Sequence, residues 1–206
     1  MIETAKKEHA DAAARLHLEA FPESFLSSLG TEFLRLVYLE FAGDAGTAAA
    51  ACVVDGAVAG FAACTRDTGR FWKRVFARRA AEVWKILLKR LAASPGIFRG
   101  VIRRAPEVAR YFIFSAFPGA GRRDDGAFVV LTVGVSPSRR REGIGRALVE
   151  RLASDARAMG GEALKAYVDG ENAAGRSFFE ACGFAETAAV KRPAGRVMVM
   201  YERRLA

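Results

Sequence analysis

The chain has 206 residues, 51% of them apolar, and a formal net charge of +9. That length suits one domain with a sizeable core, and the apolar share excludes a disordered chain. No uncharged apolar run reaches the roughly 18 residues of a membrane span, and three cysteines without metal-ligand spacing fit reduced, buried thiols in a cytoplasmic protein.

Ile2 to Thr4 reads as a short strand. Lys6 to Ala20 reads as a helix, with apolar positions at Ala10, Ala13, Ala14, Leu16, Leu18 and Ala20. The first residues carry no apolar signal segment. His9 and His17 are the only histidines, and two on one helix give poor support for a metal site or a Ser-His triad. Phe21-Pro22-Glu23-Ser24 breaks the helix, and Phe25 to Phe41 is a second, very apolar helical stretch with Gly30 near its start. Thr47–Val54 and Ala57–Thr65 are strands joined at Asp55-Gly56, a two-residue hairpin signal.

A basic segment follows. From Arg70 to Arg123 there are 14 Lys/Arg against two acids, Glu82 and Glu107, so the positive charge of the chain belongs to this stretch. Spacing predicts a helix over Phe71–Leu91 with Trp72, Val75, Phe76, Ala80, Val83, Trp84, Leu87 and Leu91 on one side. Arg74, Arg78, Lys85 and Lys89 cluster opposite. Ser94-Pro95-Gly96 ends it, Ile97–Arg104 and Glu107–Phe114 read as short helices, and Phe117–Gly121 as a loop. Three readings of the insert, about residues 70–121, stand side by side. It is a flap with solvated charges, a basic face for an acidic acceptor, or a helix lying on an anionic membrane surface. Charge alone would allow nucleic acid, but no nucleic-acid motif accompanies it.

Phe128 to Val135 is an apolar strand that runs into Ser136-Pro137-Ser138-Arg139-Arg140-Arg141-Glu142-Gly143-Ile144-Gly145-Arg146, which opens a helix. Glycines two apart let backbone N–H groups approach a ligand, and the helix N-terminus points its positive end at the same place. With four arginines nearby this describes a phosphate site, although by itself the motif is equally a tight turn with solvated arginines. Further on, Leu164–Val168 reads as a strand, and Asn172-Ala-Ala-Gly-Arg-Ser-Phe178-Phe179-Glu180-Ala-Cys-Gly183-Phe184 as a short helix closed by glycine.

Together the two motifs resemble the GCN5-related N-acetyltransferase (GNAT) family over roughly residues 127–185. The weaker resemblance of Ala20–Gly30 is to members in polysaccharide and amino-sugar pathways. The family implies a single α/β (α+β) domain. Its mixed, mostly antiparallel sheet is splayed between strands four and five, with helices on both faces. It implies acetyl transfer from acetyl-CoA, without a metal, to the primary amine of an amino sugar, glycan precursor or peptide. Cofactor-binding residues carried over by position are Arg140, Arg141, Glu142, Gly143, Ile144, Gly145 and Arg146 for the pyrophosphate. Val133, Gly134 and Val135 would serve the pantetheine arm, and Asn172, Phe178 and Phe179 the thiol end. A homodimer is also an expectation of the resemblance.

The chain departs from the family where protons move. Phe179 stands where many members carry a tyrosine that protonates the departing thiolate, and the strand 127–135 holds no carboxylate. The substitutes are Tyr167 as acid or water relay, and Glu23 or Asp125 as base. Each also has an ordinary structural reading: a cross-strand aromatic, a helix-terminal charge and a turn residue, respectively. The same gaps motivate an alternative, a non-catalytic acyl-CoA-binding or membrane-surface module. The expected location is the cytoplasm, including the inner face of the membrane.

Overall fold

The computed structural model describes residues 1–93, 126–191 and 197–205. Strand β1 (Ile2–Thr4) and a 3-10 turn at Lys7–His9 lead into helix α1 (Ala10–Ala20), the one-turn helix α2 (Phe25–Ser28) and helix α3 (Gly30–Phe41). Apolar positions at helical spacing place Ala10, Ala13, Ala14 and His17 on one buried stripe of α1. The single helix expected over 25–41 is instead two. Ser24 caps α2 by accepting from Ser27 N–H, and the chain turns at Gly30, whose φ of 84° suits glycine.

Strands β2 (Thr47–Val54) and β3 (Ala57–Thr65) form the expected hairpin. Asp55 and Gly56 are both left-handed (φ 51° and 76°), the conformation whose twist matches the flanking strands.

Helices α4 (Thr68–Arg78) and α5 (Ala80–Ala93) come next. They correct the expectation of one helix over 71–91: the chain breaks at Arg79 (φ −124°, ψ 26°). The break resets which residues face inward. Phe71, Trp72, Val75, Val83 and Ile86 are buried with α1 and α3, whereas Trp84, expected on the inner side, is 64% exposed. The basic side is also partly consumed within the fold. Arg74 pairs with Asp44 and Glu40, Arg78 with Glu40 at 3.3 Å, and Lys89 with Glu32 at 2.9 Å. Glu40 is only 4% exposed, and a carboxylate so buried needs those partners. The helices expected over 97–104 and 107–114, the loop at 117–121 and Asp125 lie outside the described residues.

Strand β4 (Ala127–Val135), helix α6 (Ile144–Ala158), strand β5 (Ala163–Asp169), helix α7 (Ala173–Ala181) and strands β6 (Ala185–Lys191) and β7 (Val197–Arg204) complete the chain. Among the described residues the strands form one seven-stranded sheet, in the order β1-β2-β3-β4-β5-β7-β6. It is antiparallel except between β4 and β5. Helix α6 covers one face through Leu148, Val149 and Leu152 against Phe128 and Leu164. Helices α1 and α3 cover the other through Leu16, Phe33 and Leu34 against Phe61 and Ala63.

Candidate functional site

Strands β4 and β5 pair from Ala127 opposite Ala163 to Val130 opposite Ala166. Beyond that point β4 stays with β3 and β5 with β7, and the two part company. A wedge opens between Leu131–Val135 and Tyr167–Asp169. The strand edge it bares offers N–H and C=O groups to an extended ligand.

The register of β4 against β3 also shifts: Thr132 faces Ala63, and Val130 faces Cys64, leaving Leu131 as a bulge. Phe128, Val130, Val133 and Val135 all belong with the α6-side core, so Leu131 and Thr132 both turn to the α1/α3 side. Gly134 is equally specific. A Cβ there would lie 2.6 Å from Phe61 Cζ and 3.2 Å from Phe21 Cε2, so the two rings press directly on the strand.

At the mouth of the wedge the chain enters α6. Arg141 (φ 68°) and Gly143 (φ 79°) are both left-handed, which turns successive peptides so that N–H groups gather before the helix. A Cβ at Gly143 would meet nothing within 4 Å, while one at Gly145 would meet Phe178 Cε2 at 2.9 Å. The space ahead of the helix is thus open, and Phe178 closes over its first turn. The arginines divide by role. Arg139 pairs with Asp55 at 3.1 Å and Glu142 at 3.5 Å, and Arg146 donates to the Ala181 carbonyl at 3.0 Å. Arg140 and Arg141 are exposed and make no side-chain ion pair among the described residues. Those two cations at a helix N-terminus fit a pyrophosphate.

Asn172 sets the next helix. Its Oδ1 accepts from Gly175 N–H at 2.8 Å and caps α7, which carries Phe178 and Phe179. The Phe179 ring packs 5.2 Å from Phe178, 5.1 Å from Phe184 and 6.4 Å from Tyr201, and it has no proton to donate. Tyr167 is the first β5 residue past the last β4 pair and lies opposite Met200. Its neighbours Ala166 and Val168 pack toward α6, so Tyr167 projects to the other face. Glu23 stands exposed in the turn between α1 and α2, two residues from Phe21. Asp125 lies outside the described residues, just before Gly126.

The residue that sequence reasoning passed over is His17. It is 6% exposed, with Nδ1 2.8 Å from the Tyr38 hydroxyl and Nε2 3.4 Å from Ser24 Oγ. Its ring meets Phe21 edge-on at 5.0 Å and stacks on Phe61 at 6.1 Å. Burial lowers its pKa to about 4, so the imidazole is neutral at pH 7. Burial likewise raises the Tyr38 phenol well above its usual range, against the opposing pull of a hydrogen bond from the Thr132 side chain. Two signals were available in the sequence. His17 falls on the Ala10/Ala13/Ala14 stripe, and Thr132 is the lone polar side chain of β4.

Residues 91–184 match the Acetyltransferase (GNAT) family. Over that stretch, a little under half of its length, the chain is similar to a GNAT acetyltransferase domain. A mycothiol acetyltransferase of Beutenbergia cavernae is 39% identical over 59 residues, a match that spans 29% of this chain and only 20% of that relative. Among solved structures, a GNAT-family acetyltransferase of Desulfovibrio desulfuricans aligns with a TM-score of 0.63 at 17% identity, covering 100% of this chain and 99% of its own. An aminoglycoside 6'-N-acetyltransferase complexed with coenzyme A aligns with a TM-score of 0.62 at 12% identity, covering 100% of this chain and 97% of its own. These likenesses establish the GNAT fold. Among the described residues no helix is long and apolar enough to cross a membrane.

Proposed function

We propose that the chain is an acetyl-CoA-dependent N-acetyltransferase in which a primary amine attacks the acetyl group directly within a ternary complex. The amine nitrogen bonds to the acetyl carbon and the carbon–sulfur bond breaks. The amine gives up a proton and the sulfur takes one. The observation that carries this reading is the parting of β4 and β5 after Val130 and Ala166, beside the open N-terminus of α6.

The β4 edge at Val133 and Val135 would pair with the pantetheine arm as an added strand. Arg140, Arg141 and the backbone of Glu142, Gly143, Ile144 and Gly145 would hold the pyrophosphate, with Arg146 behind them. Phe178 and Phe179 would line the thiol end on a helix that Asn172 starts. A backbone N–H near Gly134 would face the acyl oxygen, where negative charge builds. Acetyl-CoA supplies an already activated thioester, so positioning provides most of the rate. Tyr167 takes the proton-donor role that Phe179 cannot, directly or through water. Glu23 and Asp125 are the carboxylates proposed to receive the amine's proton.

The acceptor class is the amine of an amino sugar, glycan precursor or peptide. The aminoglycoside enzyme among the similar structures supports an amine carried on a sugar. A net charge of +9 disfavours polyamines, although the ion pairs of Arg74, Arg78 and Lys89 spend part of it.

The test is thiol release from acetyl-CoA against amino-sugar nucleotides, amino sugars, peptides with free amino groups and polyamines, with and without anionic vesicles. Release that depends on one amine class is the expected result. Silence, with acetyl-CoA still raising the melting temperature, would instead support a non-catalytic acyl-CoA-binding module, the reading that Phe179 favours.

A further inference from the structure

A line of hydrogen bonds runs from the helical layer to the wedge, and its side-chain donors point one way. Ser27 gives its hydroxyl hydrogen to the Phe21 carbonyl at 2.6 Å, and Ser24 gives its own to Ser27 Oγ at 2.8 Å. Ser24 Oγ already accepts from Ser27 N–H at 3.0 Å. With its hydrogen spent, it can only accept from His17 Nε2, 3.4 Å away, and this places the imidazole hydrogen on Nε2. Nδ1 is then bare and accepts the Tyr38 O–H at 2.8 Å. The phenol has no second hydrogen, so its oxygen meets the Thr132 hydroxyl as an acceptor. A Thr132 hydroxyl that gives its hydrogen to the phenol keeps only lone pairs for a ligand.

Thr132 stands where that polarity matters. The Leu131 bulge turns it to the α1/α3 side, it is half-buried, and it is the second residue past the last β4–β5 pair. Val133–Val135, the proposed acyl-CoA edge, follow immediately. Resting on the acetyl-transfer reading, we propose that Thr132 Oγ1 accepts a hydrogen bond from the acceptor's amine N–H and holds that amine at the wedge. Tyr38 and His17 are positioning residues, since they act through Thr132 by fixing which way its hydroxyl points.

The ligand group recognised is therefore an N–H donor, and a quaternary ammonium, which has no N–H, would find nothing to pair with. The line does not store the reaction's proton. A histidine whose pKa lies near 4 is a poor proton store, so the proton leaves by another route.

Two measurements test this. Long-range proton–nitrogen NMR on the isotope-labelled full chain reads the histidine tautomers directly, and with only His9 and His17 present the assignment needs one variant. Expected is a neutral His17 protonated at Nε2; protonation at Nδ1, or a charged ring at pH 7, would overturn the proposal. The second compares Thr132→Val and Thr132→Ser with the amine class that the wild type acetylates. Loss of one neutral hydrogen bond should raise KM for the amine about tenfold in the valine variant. Thr132→Ser should stay within about twofold of wild type, and kcat and acetyl-CoA affinity should hold in both. A valine variant equal to wild type, or a serine variant as impaired as valine, would sink the inference alone. If the wild type acetylates no amine, the acetyl-transfer reading falls and the amine role falls with it, whatever the tautomer.

Discussion

Val130 and Ala166 face each other as the last pair of the β4–β5 ladder, and one residue later β4 bulges at Leu131. The two facts are linked. A bulge bends its strand and increases its twist, and here β4 is held by β3 as far as Val135 opposite Gly60. β5 is held by β7 as far as Asp169 opposite Met198. Each strand follows its other neighbour and the wedge is what remains between them. The same bulge presents Thr132 to the α1/α3 layer in place of the core beneath α6.

Gly143 is the position where a side chain should disturb the phosphate site through the backbone alone, since a Cβ there meets nothing within 4 Å. Its φ of 79° is open to glycine and strained for a β-branched residue by about 1–3 kcal/mol. In Gly143→Val, calorimetric titration should show acetyl-CoA affinity reduced by about tenfold or more, because the N–H groups before α6 are displaced. Unchanged affinity would place the pyrophosphate elsewhere.

Tyr167→Phe separates a proton-donor role from a packing role. Turnover should fall by roughly 10²-fold with acetyl-CoA affinity kept, as expected when an acid acting only in the chemical step is lost. Wild-type turnover in this variant would leave Tyr167 as a cross-strand aromatic.

Glu40 carries the attachment of α4 to α3. Glu40→Ala removes one of the two carboxylates that hold Arg74, leaving Asp44 as its partner, and should cost about 1–3 kcal/mol in denaturant unfolding. Exposed Arg78 contributes little to that cost. A change under about 0.5 kcal/mol would mean the cluster is solvated, as surface pairs are.

Acid should destabilise this fold through His17. The folded pKa is about 4 and the ordinary value 6.5, so between them the unfolded chain binds more protons. Unfolding free energy should therefore decline as pH drops from 6.5 toward 4, by up to about 3 kcal/mol, and be unaffected by this group above pH 7. His17→Gln should abolish that slope. An identical slope in the variant would assign acid sensitivity to other groups.

The sheet and both site motifs were legible because each rests on a local rule. The Asp55-Gly56 hairpin, the apolar run of β4 and the glycine turn into α6 are written in a few adjacent residues. What the sequence hid depends on packing between distant elements. The Leu131 bulge shows only against β3, and nothing in Ala127–Val135 marks one residue as extra. Arg79 is an unremarkable helix former, so the break between α4 and α5 comes from how Phe71 and Val83 must both reach the α3 core. His17 read as one polar residue among alanines until Tyr38, Ser24 and Thr132 were seen to meet around it. Arg74 and Arg78 read as free charge for the same reason, since Glu40 and Asp44 lie on another element.

The most direct test of the central claim follows the acetyl group itself. Isotope-labelled acetyl-CoA is incubated with the full chain and each amine of the panel, and amine, protein and coenzyme are weighed by mass spectrometry. The account predicts one labelled acetyl on the amine for each free coenzyme thiol, and none on the protein. Label retained on the protein, thiol released without an amide, or bound coenzyme with no transfer to any amine would contradict it.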